Sequence, residues 1–189
     1  MKNSYLGQSW LVILLSIFFG FTLSGVQAFL QEKIDTNKSN QSMRIVPTLV
    51  PGAVTGKSVT VGDLTVYEAL NQNNKRAGWV IPARGQGFAD KIEILIGLTP
   101  DASSLSGLSV LNQKETPGLG SRITESSWLS QFIGKGTTDS LTPTKNPVPS
   151  KNEIRAITGA TISSFSICQI VNENVKKFRA ELRKQQADP

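Results

Sequence analysis

The chain has 189 residues and a formal charge of +6, with 39% apolar and 18% charged residues, enough for one domain with its own core plus an appendage. It contains no histidine and one cysteine, Cys168. These absences exclude Ser–His–Asp and Cys–His nucleophile systems, an internal disulfide, a thiolate metal cluster, and haem or iron–sulfur ligation by this chain alone.

The basic excess is scattered apart from a cluster near the C-terminus, a pattern of solvated surface in which no nucleic-acid partner is expected. No metal-ligating set stands out. Any redox chemistry has to arrive with a cofactor.

Lys2 is the only charged residue before Glu32. The apolar stretch Trp10–Leu30, at about 1.5 Å per residue, spans the roughly 30 Å hydrocarbon core of a membrane. Trp10 stands where an interfacial aromatic would. The alternative is a cleaved signal peptide, with Val26-Gln27-Ala28 as the small-residue cleavage site and a secreted soluble domain as its product. Comparison of Lys2 with Lys33, Lys38 and Arg44 does not fix the side of the membrane. The expected organisation is a short tail over residues 1–8, a transmembrane anchor over 9–30, a connector over 31–60 and a folded domain over 61–189.

The connector is polar, is broken by Pro47 and Pro51, and has room for one short helix. Its segment PGAVTGKS resembles a phosphate loop, but Pro51 stands at the first required glycine. The VTVGDLTVY that follows reads as strand, so the helix terminus such a loop needs is missing. Strands are expected at Leu64–Leu70 and Gly78–Pro82, joined by the turn-rich NQNNKR. Gly85-Gln86-Gly87 opens a loop into KIEILIGL (Lys91–Leu98), whose alternation predicts a half-buried strand. A further strand covers Gly107–Gln113.

ETPGLG follows, from Glu115 to Gly120. A proline with two glycines marks a specific loop that brings backbone close to something. Ser126–Ile133 predicts a short helix with Trp128 and Phe132 on one face, and Gly134–Lys151 a surface loop. From Ile162 to about Lys184, the positions Ile162, Phe165, Cys168, Val171, Val175, Phe178 and Leu182 step by three or four, one apolar stripe of a long helix. Cys168 is expected in the core. Strands first and a long C-terminal helix last make an α+β domain with antiparallel strands.

Into that helix runs ITGATISS, with Thr158, Gly159, Ala160, Thr161, Ser163 and Ser164. Small residues admit a ligand to the backbone, and the free N–H groups and positive dipole end of a first helical turn favour an anion. A phosphate esterified to Thr161 Oγ would sit at the N-cap. The plainer alternative is that Thr161 only caps the helix.

ITGATISS, ETPGLG and the upstream GWVIPARGQGFADKIEILIGL, in this order and spacing, resemble the FMN-binding domain of the G subunit of Rnf-type electron transport complexes. That family is close kin of the C subunit of the sodium-pumping NADH:quinone reductase. The resemblance extends over residues 5–185. It implies covalent FMN on Thr161, attached by a flavin transferase, with the ETPGLG residues Glu115, Thr116, Gly118 and Leu119 near the flavin. Gly85 and Gly87 would let a second loop approach it.

The resemblance also implies no catalytic side chain and an electron carrier within an ion-translocating oxidoreductase. The carrier would be anchored by a single helix in the bacterial inner membrane, its FMN-binding domain on the periplasmic side beside the other membrane subunits. One departure stands out: the family has Asp six residues before the modified threonine, and this chain has Arg155. Glu153 is a candidate substitute, and Arg155 a candidate fork for the phosphate. An anchored subunit that kept the fold without the flavin is therefore a further alternative.

Overall fold

A computed structural model describes residues 5–187 of the chain. Lys2 and the first half of the tail expected at residues 1–8 lie outside the described residues. Two compact units emerge, Met1–Gln41 and Ser42–Pro189. Over its described residues the first is helical, and its apolar side chains from Trp10 to Leu30 are exposed, as Phe21 illustrates at 81%. This is the one helix among the described residues long and apolar enough to cross a membrane.

The helix, α1, spans Tyr5–Leu49. It therefore continues through most of the segment read as a connector, and after a turn at residues 50–54 strand β1 (Thr55–Val61) covers the end of that segment. Polar residues between Glu32 and Gln41 had suggested a linker; they form helix because neither glycine nor proline interrupts them, and Pro47 falls in the last turn. PGAVTGKS runs into β1 and forms no phosphate-binding turn.

The second unit is built on a five-stranded antiparallel sheet in sequence order: β1, β2 (Leu64–Leu70), β3 (Arg76–Gln86), β4 (Lys91–Leu98) and β5 (Leu105–Asn112). Short 3-10 segments flank α2 (Ser126–Leu129). A small parallel pair, β6 (Thr142–Thr144) and β7 (Glu153–Arg155), follows, and α3 (Thr161–Ala187) closes the chain. The antiparallel sheet and long final helix match the architecture expected from the sequence.

Strand alternation divides the side chains between two faces. Trp79, Ile81, Ala83, Ile92, Ile94, Ile96 and Leu98 face α3, which contributes Ile167, Cys168, Ile170, Val171, Val175 and Phe178. Phe178 meets Trp79 edge to face, ring centroids 5.4 Å apart, and Trp128 meets Phe132 likewise at 5.2 Å. Burial pushes the Cys168 thiol up to about 12, so it is an inert core group.

The opposite face is covered as well. Val46, Leu49 and Val50 pack on Tyr67, Ala69, Val80 and Leu95. A Cβ on either of the paired residues Gly97 and Gly107 would come within 2.8 Å of the Leu49 carbonyl oxygen, so glycine is what lets this chain segment lie on the sheet. Strand β4, expected to be half-buried, is consequently buried on both faces from Ile94 to Leu98.

Strand β3 also runs further than expected, through Gln86, so that Gly85 lies inside a strand. A Cβ there would collide with Ile170 of α3. Gly85 serves the close packing of helix on sheet, and the loop begins only at Gly87.

Candidate functional site

Helix α3 starts in an unusual way. Thr161 is its first residue, and the first intrahelical bond runs from Ser164 N–H to Ala160 O at 3.1 Å. The N–H groups of Thr161, Ile162 and Ser163 have no acceptor among the described residues, which leaves the positive end of a long helix open. Thr161 is exposed, and its hydroxyl has no partner among the described residues. It sits one residue inside the helix, not at the N-cap, and does not cap the helix through its side chain.

The turn that presents Thr161 is fixed from below. Ser164, fully buried, accepts a hydrogen bond from Ile157 N–H at 3.0 Å and donates one to Ala160 O at 3.0 Å. Ala160 N–H donates to Ile157 O at 2.9 Å, and Gly159 adopts a φ of +83°, a left-handed value that other residues adopt only with strain. Thr158 and Gly159 are exposed, and Ala160 is buried. Ser163 and Ser164 thus point inward, away from a ligand on Thr161.

The 113–121 loop packs beside this turn. Gly118 N–H donates to Ser121 Oγ at 3.0 Å with φ +74°, and Leu119 and Ser121 donate to Thr116 O. Leu119 reaches over Gly159: a Cβ on that glycine would lie 3.0 Å from Leu119 Cδ2. Gly120 is buried, and a Cβ there would come within 2.8 Å of Ser163 Oγ and 2.9 Å of Glu115 Cβ. Thr116 and Gly118 are exposed.

Glu115, expected beside the ligand, is only 4% exposed. One carboxylate oxygen accepts from Ala89 N–H at 3.0 Å, and the other accepts a short hydrogen bond from Ser163 Oγ. A Cβ on Gly87 would collide with the same carboxylate. Glu115 therefore clamps three segments together: the 87–90 turn, its own loop and the first turn of α3. It faces inward, under the site.

Four large apolar side chains on these segments stay exposed: Phe88 (60%), Leu119 (46%), Ile162 (56%) and Phe165 (54%). Ile162 and Phe165 were expected in the buried stripe of α3. In the structure that stripe begins at Ile167, and Ser163, Ser164 and Ser166 take the inward positions before it. Phe88 escaped the sequence reading because a lone aromatic in a glycine-rich loop carries no pattern.

Arg155 ends β7 beside this region. Its N–H donates to Gln131 Oε1 and its carbonyl accepts from Trp128 Nε1, both at 2.8 Å. With Arg122, Trp128 and Thr158 it lines a small recess of about 270 Å³. Glu153 is turned elsewhere: its carboxylate accepts from Ser150 N–H at 2.8 Å, and that bond holds it below the usual carboxylate range.

Residues 87–176 match the FMN-binding domain family. The chain is 38% identical over 111 residues to the G subunit of the proton-translocating ferredoxin:NAD(+) oxidoreductase complex of Clostridium ljungdahlii, covering 59% of this chain and 58% of that one. It is 33% identical over 94 residues to the G subunit of the Na(+)-translocating ferredoxin:NAD(+) oxidoreductase complex of Acetobacterium woodii, covering 49% and 44%. The chain thus spans about half the length of these two relatives. Among solved structures, Shewanella oneidensis NqrC superimposes with a TM-score of 0.61 over 72% of this chain and 73% of the other; at 22% identity that likeness establishes the fold.

Proposed function

We propose, from the match of residues 87–176 to the FMN-binding domain family, that the chain is an electron-carrying subunit of a membrane-bound, ion-translocating oxidoreductase, with FMN joined to Thr161 Oγ through a phosphoester. The observation that carries this reading is the free, exposed hydroxyl of Thr161 at the open N-terminus of α3, beside four exposed apolar side chains. The residues fit the group. Unsatisfied N–H groups suit a phosphate, and Phe88, Leu119, Ile162 and Phe165 offer a flat aromatic ring an apolar surface otherwise left in water.

FMN, when bound, supplies the electron-accepting and electron-donating chemistry. The chain's own part is mechanical and electrostatic. Thr161 tethers, the first-turn N–H groups hold the phosphate charge, and Ser164 and Glu115 keep the presenting turn rigid. The apolar part of α1 anchors the chain in the bacterial inner membrane as a single span, with the domain on the periplasmic side among the other membrane subunits. A flavin transferase installs the cofactor.

Coexpression with such a transferase and intact-mass spectrometry test this directly. The expected product is heavier by FMN less one water, and Thr161→Ala removes the gain. An unmodified native chain defeats the proposal. A second reading rests on Arg155 at the recess beside Thr158: an anchored subunit of the same fold that stays unmodified until Arg155→Asp restores the family's carboxylate. Flavin on the native chain rules that reading out.

A further inference from the structure

Among the described residues Glu115 is the one buried carboxylate of the domain, and the proposed function uses it only as a brace. Both of its oxygens act as acceptors, and both donors, the Ala89 amide and the Ser163 hydroxyl, are neutral. It has no ion-pair partner among the described residues. The charged side chains nearest in sequence are paired elsewhere, Lys114 with Asp90 at 3.0 Å and Arg122 with Glu125 at 3.0 Å. The domain thus holds a carboxylate in its interior, offset only by hydroxyl and amide dipoles and by the first turn of α3. A brace alone does not require charge, because an amide of the same shape would also bridge these segments.

We propose that Glu115 sets the reduction potential of the flavin carried on Thr161, as a fixed negative charge that keeps the potential low. The inference rests on the flavin reading above. Ser163, which holds the carboxylate, lies two residues beyond Thr161 on the same helix, about 3 Å of helical rise. Two of the apolar side chains offered to the ring, Phe88 and Ile162, are next in sequence to the carboxylate's two donors, Ala89 and Ser163, so a ring on that surface would lie on the order of 10 Å from the charge. Added electrons on the ring are repelled by it, and burial denies the charge the screening that water gives a surface carboxylate. At an effective dielectric near 20, one charge at that distance shifts the ratio of reduced to oxidised flavin on the order of tenfold.

The test uses the full chain, loaded with FMN and verified by intact mass, in an anaerobic dithionite titration followed by absorbance. Glu115→Gln keeps the shape and removes the charge. The potential rises, and at the native midpoint the reduced-to-oxidised ratio increases about tenfold. Glu115→Asp keeps the charge and stays within about twofold of native. Ser163→Ala removes a dipole that offsets the carboxylate and moves the potential the other way.

A purely structural role predicts the reverse order, with Asp disruptive and Gln silent. A Gln variant that titrates like the native protein, or an Asp variant that moves as far as Gln, overturns the inference. Near-ultraviolet circular dichroism checks folding. If Glu115→Gln does not fold, Ser163→Ala decides alone, and an unchanged potential there is contrary. Absence of the FMN mass on the native chain removes the flavin reading and this inference together. A loaded chain whose potential ignores Glu115 removes this inference only.

Discussion

The first turn of α3 and the turns after it follow opposite rules of burial. From Ile167 to Phe178, apolar side chains face the sheet and polar ones face water. From Ile162 to Phe165, two serines are buried while isoleucine and phenylalanine stand exposed. The later turns contribute free energy by removing apolar surface from water. The first turn forgoes that gain and gives its inward positions to hydrogen bonds that hold a loop and a carboxylate. Where a helix inverts its own pattern, stability is not what the segment supplies, and a ligand surface is the natural reading.

The largest effect expected along this contrast is in the later turns. Phe178→Ala opens a cavity against Trp79 and costs about 3–5 kcal/mol in urea unfolding. Ser164→Ala comes next, since it orphans the buried Ile157 N–H, and a loss of about 1–3 kcal/mol is expected by the same measurement. Phe165→Ser, by contrast, changes stability by less than about 0.5 kcal/mol, although phenylalanine is the larger side chain. A loss comparable to that of Phe178→Ala places Phe165 in the core and removes the contrast. On flavin-loaded protein the same variant alters flavin fluorescence.

The smallest effect concerns Cys168. Its thiol, pushed up to about 12, resists alkylation in the native state and reacts fully in denaturant. The folded value lies above that of an unfolded thiol, so the stability held in this group is complete below about pH 9. It is lost as pH rises from there toward 12. Cys168→Ala flattens that alkaline decline in a pH series of melting temperatures; an unchanged decline assigns it to other groups.

Much of the fold was legible. The three-and-four spacing from Cys168 to Leu182 marked the long helix, the turn-rich NQNNKR marked the hairpin of β2 and β3, and alternation marked β4. The second covered face of the sheet was not legible. Residues 31–41 are polar enough to pass for a linker, and the approach of Leu49 to Gly97 and Gly107 is a long-range fact that local pattern does not encode. At the site, the sequence singles out Thr161 by its motif and its place at the start of a helix. The role of Glu115 was hidden because its partner Ser163 is 48 residues away. Ile162 and Phe165 misled because they continue the helical spacing while pointing to the other side.

The central claim is a covalent bond at one hydroxyl, and denaturation tests it most directly. Protein from cells containing the flavin transferase is boiled in detergent, separated on a gel and viewed under ultraviolet light. The native chain and Thr158→Ala are expected to fluoresce and Thr161→Ala to be dark. A dark native band, or a bright Thr161→Ala band, contradicts the account.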